Sequence, residues 1–133
     1  MPKRFDFSAS IDREGALCAE ERVSLDPGEG WTPEHLVLAA LCRCTLSSLR
    51  HHAEKVGVAA SGTATADGVV TKRDSDDRYA FTELLCGLDV TLEPEPDDVP
   101  GLLALAERDC FVSASLTAKT QYEWRVNGET QAA

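Results

Sequence analysis

The feature that most constrains the fold of this chain is one long helical segment that begins after Thr32 and ends at Gly57. Thr32 has the side chain of an N-cap, and Pro33 suits the first helical position because its missing N–H has no partner to lose there. Glu34 places a carboxylate at the positive end of the helix dipole, and Gly57 supplies a C-terminal stop. The sequence therefore predicts a helix of more than twenty residues between these signals.

The predicted helix changes character along its length. Residues 36–42 are apolar on every side, which predicts a segment that is covered all round by protein. Beyond them the apolar residues form a single stripe at helical spacing: Leu46, Leu49, Ala53 and Val56. We therefore expect this helix to be central, with the remaining elements packed around it.

Period-two alternation of apolar and polar residues predicts strands on both sides of the helix. The segments that show it are residues 5–11, 17–25, 58–72, 78–92 and 116–126. Short turns join segment 5–11 to 17–25 and segment 58–72 to 78–92, which predicts two antiparallel hairpins. Helical spacing from Val99 to Cys110 predicts a shorter second helix, with Cys110 on or near its buried face. The fold class is accordingly α+β.

Composition limits the classes of function. The 133 residues, 43% of them hydrophobic, suffice for one domain over residues 1–127, and residues 128–133 are expected to form a flexible tail. A formal charge of -10 disfavours nucleic acid and anionic membranes as partners. No apolar run is long enough to span a bilayer, and the first ten residues lack the apolar stretch of a secretory signal, so we expect a cytoplasmic protein.

The five cysteines include no CxxC pair, so each thiol is considered separately. Cys44 is the best candidate for a reactive thiol because small or hydroxyl residues surround it on the helix. Cys42 points about 200 degrees away from it, so only one of the two faces a given pocket. Cys86, on the apolar face of a strand, is interpreted as a small buried hydrophobe. The histidines lack zinc-site spacing with these cysteines, and no metal site is predicted: His35, His51 and His52.

Two segments resemble the OsmC/Ohr family. Residues 31–44, WTPEHLVLAALCRC, are similar to the family signature in which Pro-Glu and a small, apolar helix lead to a cysteine. Residues 106–113, AERDCFVS, look like the later element that carries the second family cysteine. The order of elements predicted above is also similar to that of the family.

This resemblance implies an intertwined homodimer with two sites at the subunit interface, which reduces organic hydroperoxides or hydrogen peroxide. Cys44 would be the peroxidatic cysteine and Cys110 the resolving cysteine. No bound cofactor is implied, and an external dithiol reductant or a lipoylated protein would recycle the disulfide. Glu34 matches the family glutamate that orients an arginine beside the thiolate. Arg22 is our choice for that arginine, and Arg13 is the second choice.

Several features of the sequence leave alternatives open. Residue 111 is Phe where well-known peroxidases of the family have Pro, and Arg43 replaces a small residue. In a straight helix Glu34 lies about 15 Å from Cys44 along the axis, so either the helix starts later or Glu34 serves the partner's site. Participation of Cys18 or Cys42 is undecided. The alternative function is that of a non-enzymatic member that binds a small hydrophobic ligand at the dimer interface.

Overall fold

A small antiparallel sheet lies in the N-terminal part of the chain. The computed structural model describes residues 2–20 and 24–132, and it divides into one unit over residues 1–36 and another over residues 37–133. The first unit contains three strands in the order β1-β2-β3, namely β1 (Ala9–Ile11), β2 (Leu17–Ala19) and β3 (Ser24–Leu25). The predicted hairpin is confirmed. The segment 17–25, however, forms two strands that pair with each other, where the sequence predicted one.

Helix α1 (Pro33–Lys55) has the limits that the sequence predicts. Its start is capped by Thr32, whose hydroxyl accepts the N–H of His35 at 3.3 Å. At its end Gly57 adopts a positive φ of 72°, and the N–H groups of Gly57 and Val58 donate back to carbonyls of the last turn at 3.1 and 2.9 Å. This paired arrangement satisfies carbonyls that the end of the helix would otherwise leave without partners.

The second unit is built on a four-stranded sheet in the order β4-β5-β6-β7. Its strands are β4 (Ala59–Lys72), β5 (Tyr79–Glu93), β6 (Thr120–Val126) and β7 (Glu129–Thr130). β4 and β5 form the predicted antiparallel pair, whereas β6 runs parallel to β5, which the expectation of antiparallel strands missed. The parallel pairing is possible because two helices connect β5 to β6. β7 lies within the predicted tail and pairs with β6.

Two short helices occupy this connection, and Cys110 lies between them. α2 (Val99–Arg108) is capped by Asp98, whose carboxylate accepts the N–H of Gly101 at 2.9 Å. α3 (Phe111–Ser115) follows, with Cys110 in an extended conformation as its N-cap. The prediction that the second helix carries Cys110 is therefore wrong. The helix ends at Arg108, with Asp109 as its C-cap, and Cys110 lies just beyond it.

The core of the second unit lies between α1, α2 and one face of the sheet. Alternate residues of β5 point into it, as the sequence predicts, together with buried residues of the two helices and of β6. Its members include Leu41, Leu49, Cys86, Leu88, Val90, Leu92, Leu102, Leu103 and Trp124. Of residues 36–42, only Leu41 is fully buried, so this chain alone does not give the all-round cover that the sequence predicts. Among the described residues, no helix is both long and apolar enough to cross a membrane.

Candidate active site

The structure brings Cys44 and Cys110 into contact. Cys44 lies in α1 and is partly exposed, whereas Cys110 is 0% exposed. The two thiols are near neighbours, and the Cys110 side chain influences the pKa of Cys44. Thr45, the next residue on α1, donates to the carbonyl of Leu41 at 2.9 Å, and its hydroxyl oxygen lies 3.4 Å from Cys110 Sγ. The pair that the sequence selected thus consists of one accessible thiol in contact with one buried thiol.

Opposing effects act on the Cys44 thiol. Burial raises its pKa, and the neighbouring Cys110 side chain raises it further. The nearby backbone N–H groups of Val112 and, more weakly, Phe111 lower the pKa, because they stabilise the thiolate. The balance leaves the pKa of Cys44 above that of an ordinary thiol. Among the described residues, none of the groups that shift it is a cation.

Cys42 is not among the described groups that act on the Cys44 thiol, and its neighbour Cys86 also lies near Thr45 and Cys110. The Cys42 side chain contacts Cys86 of β5, and burial raises the pKa of Cys42. Burial, with the neighbouring Cys42, also raises the pKa of Cys86 to about 12. Because Cys86 is 0% exposed and has this high pKa, it fits the interpretation as a buried hydrophobe.

Sequence reasoning missed a row of buried polar side chains on α1, here called the polar seam: Thr45, Ser48 and His52. Each contacts the stretch from the end of α2 to Cys110. Ser48 donates to the carbonyl of Ala106 at 2.8 Å, and His52 lies 2.7 Å from a carboxylate oxygen of Asp109. The available signal was the spacing of three and four residues, which places these polar residues on the same face as Leu41.

Tyr122 was also missed as a member of the site. Its hydroxyl is buried near the hydroxyls of Ser113 and Thr45, but it makes no well-formed hydrogen bond with any residue that the structure describes. Burial raises its pKa, so it stays a neutral phenol at ordinary pH. The alternation along the last strand predicted its inward direction but gave no indication of its neighbours.

The remaining predicted site residues lie in the N-terminal unit. Glu34 is in the first turn of α1 and exposed, and Arg13 is exposed in the turn between β1 and β2. Arg22 lies outside the described residues. Because α1 already begins at Pro33, the possibility of a helix start after Glu34 is ruled out. The roles of Glu34 and of either arginine stay predictions.

The rest of the described chain offers an open cavity but no group of side chains suited to a metal ion. No cluster of three or more His, Cys, Asp or Glu side chains there could hold a metal ion. An open cavity of about 980 Å³ lies beside β6 and α2, lined by residues that include Leu103, Glu107, Tyr122 and Trp124. Neither Cys44 nor Cys110 lines this cavity.

The chain is similar to OsmC-like proteins in sequence and in fold. A family model described as OsmC-like protein matches residues 26–125, a range that contains both cysteines of the candidate site. An OsmC-like protein of unknown function from Vibrio cholerae has a TM-score of 0.75 at 15% identity, with 91% of this chain and 99% of that chain covered.

Two further solved structures are named as organic hydroperoxide resistance proteins. The one from Legionella pneumophila has a TM-score of 0.59 at 20% identity, over 94% of this chain and 98% of that one. OhrB of Bacillus subtilis has a TM-score of 0.54 at 17% identity, over 92% and 96%. At such identities the likeness shows the fold and does not establish an activity. A search of curated proteins found no match.

Proposed function

The chain belongs to the OsmC-like protein family, and we propose that it is a thiol peroxidase that reduces organic hydroperoxides through Cys44 and Cys110. The observation that carries this proposal is the contact between a partly exposed Cys44 and a fully buried Cys110. A peroxide that reaches the surface meets Cys44 first, because Cys44 is partly exposed and Cys110 is fully buried. Family membership and the names of the structural neighbours support the same reaction class.

The proposed reaction has two steps. The Cys44 thiolate attacks the distal oxygen of the peroxide, the O–O bond breaks, and the departing alkoxide takes a proton and leaves as alcohol. Cys44 is then a sulfenic acid. The Cys110 sulfur attacks the Cys44 sulfur, and a disulfide forms as water leaves. A dithiol reductant or a lipoylated protein restores both thiols by exchange, so no bound cofactor is needed.

Because the pKa of Cys44 is raised, the proposed reaction requires further stabilisation of the thiolate in the active form of the protein. The N–H groups of Val112 and Phe111 provide part of it. We propose that an arginine, Arg22 or else Arg13, supplies the rest, oriented by Glu34. A homodimer fits this proposal, because Glu34 would then serve the site of the second copy. Residues 37–40, apolar but only partly buried in one chain, offer that copy a surface to cover.

The proposal also covers where the protein acts. We expect it to work in the cytoplasm, where dithiol reductants are available and ordinary thiols stay reduced. Defence against oxidative stress follows from the reaction class.

The deciding experiment follows each thiol by mass spectrometry after addition of one equivalent of cumene hydroperoxide to the reduced protein. We expect a rapid and specific disulfide between Cys44 and Cys110. Cys44→Ser should abolish peroxide consumption, and Cys110→Ser should let the Cys44 sulfenic acid accumulate. Cys42→Ser is the matched control, since Cys42 is nearby on the same helix but contacts Cys86. Slow oxidation without preference among the cysteines would remove the peroxidase assignment.

A second candidate is binding of a small hydrophobic ligand without catalysis. The raised pKa of Cys44 favours it, since a thiol that stays protonated is a poor nucleophile. This function requires that Cys44 be inert to peroxide and to alkylation at neutral pH. It also requires that an apolar probe such as a fatty acid bind without any change at Cys44, which a fluorescence titration of the two tryptophans tests.

A further inference from the structure

The polar seam fixes the short stretch that ends in Cys110 to the helix that carries Cys44. Ser48 holds the carbonyl of Ala106, and Thr45 contacts Cys110 itself. The stretch is also held from its other side, where the indole N–H of Trp124 donates to Glu107 at 2.8 Å. Cys110 lies in an extended link between two helices, where its carbonyl accepts the N–H of Ala114 at 3.0 Å and its own N–H donates to the carbonyl of Glu107 at 3.5 Å. The side-chain contacts act together with these backbone bonds to fix its position.

The contact at the end of the polar seam is the one that involves charge. Nε2 of His52 donates to Oδ2 of Asp109 at 2.7 Å, because an ionised carboxylate only accepts hydrogen bonds. The side chain of His52 is 10% exposed and that of Asp109 34% exposed, so solvent screens this bond only in part. Arg108 binds the same carboxylate from the solvent side, at 2.9 and 3.1 Å. Charge-assisted bonds of this kind are shorter and stronger than neutral ones.

We propose that His52 is a positioning residue for the resolving cysteine, acting through Asp109. Asp109 directly precedes Cys110, and His52 is on the same helix as Cys44, two turns further on. The bond between them therefore ties the backbone next to one thiol to the helix that bears the other. His52 itself does not enter the contacts of Cys44, so its effect falls on disulfide formation and spares the attack on peroxide. The assignment of a resolving role rests on the proposed function.

The test measures how strongly the fold favours the disulfide, independently of any peroxide. The ratio of dithiol to Cys44–Cys110 disulfide in glutathione redox buffers gives the effective concentration of one thiol toward the other. His52→Leu removes the donor and keeps the volume, and it should lower this concentration about tenfold. His52→Gln restores an N–H at the place of Nε2, and it should return the effective concentration to within about threefold of the wild-type value. Asp109→Asn removes the charge of the carboxylate and should likewise lower the effective concentration.

Two controls separate positioning from general destabilisation. Arg50→Leu exchanges an exposed polar side chain of the same helix for leucine, and Val90→Ala weakens the core of β5, 2% exposed, without touching the polar seam. Neither should alter the effective concentration, although Val90→Ala lowers the free energy of unfolding. The inference is overturned if His52→Leu and Asp109→Asn match wild type, if Val90→Ala has an equal effect, or if wild type forms no such disulfide.

The peroxide experiment then shows which proposal fails. In His52→Leu, trapping of the Cys44 sulfenic acid should proceed at the wild-type rate, while the following disulfide step is about tenfold slower. If wild type ignores peroxide but its disulfide in glutathione depends on His52, the proposed function fails and the positioning role stands. If wild type reacts with peroxide and its disulfide step is indifferent to His52, the positioning role fails alone.

Discussion

Replacing Phe111 by proline removes one N–H from the surroundings of Cys44 and leaves the rest of the site in place. Phe111 occupies the first position of α3, where proline is well tolerated because that N–H has no helical partner. Cys110 before it has φ -74° and ψ 105°, a conformation that a residue preceding proline adopts without strain. The Phe111 side chain is 69% exposed, so little packing is lost. We expect the free energy of unfolding to change by less than about 1 kcal/mol.

The expected effect lies in the reactivity of Cys44. A hydrogen bond to a charged group contributes about 1.5–3 kcal/mol. Cys44 is partly exposed and the stronger influence, the N–H of Val112, remains, so we assign about 1 kcal/mol of thiolate stabilisation to the N–H of Phe111. Its loss corresponds to about fivefold less thiolate. Since the pKa of Cys44 is already raised, thiolate is the minor form near pH 8, and the alkylation rate follows its population.

The assay is site-resolved alkylation of Cys44 by iodoacetamide between pH 7 and strongly alkaline pH, read by mass spectrometry. Phe111→Ala is the matched control, because it removes the ring but keeps the N–H. We expect the proline variant to react about fivefold more slowly than the alanine variant near pH 8, and the two rates to converge once Cys44 is fully ionised. Equal rates near pH 8 would refute the role of this N–H. A difference that persists at high pH would point to access as its cause.

Three further predictions concern stability. Leu41 is 0% exposed, and Leu41→Ala should lower the free energy of unfolding by about 2–5 kcal/mol in urea titrations. Leu105 is 38% exposed, and Leu105→Ala should lower it by much less. Equal losses would contradict the assignment of the core. A Cβ at Gly62 would overlap the backbone of β5, whereas a Cβ at Gly57 meets no atom. Gly57→Ala should lower the free energy of unfolding by roughly 1–2 kcal/mol, because alanine is strained in the left-handed conformation, and Gly62→Ala should lower it by more. The Arg108 guanidinium, and then His52, lowers the pKa of Asp109, so its contribution to stability is present above the usual aspartate pKa and is lost as the pH falls through the lowered value. In Asp109→Asn, the free energy of unfolding should therefore fall less steeply as the pH is lowered. An unchanged dependence on acid pH would speak against the ion pair.

Local sequence signals correctly predicted the parts of the structure that depend on residues close together in the chain. The limits of α1 follow from Thr32 and Gly57, because caps and stops act through hydrogen bonds within one turn. The two long strands followed from period-two alternation for the same reason. The resemblance selected Cys44 and Cys110, and the structure places them in contact, although their chemical roles stay predictions.

The sequence by itself determined the long capped helix and the hairpin of β4 and β5, since each depends on residues a few positions apart. A recognisable motif directed attention to the two thiols, whose roles stay predictions. Only the tertiary structure decided that β6 runs parallel to β5, that Cys110 lies in an extended link, and that the polar seam faces that link. Strand direction depends on how the connecting helices cross the sheet. The partners of Thr45, Ser48 and His52 come from residues about sixty positions later, and pairing at that distance leaves no periodic trace in either segment.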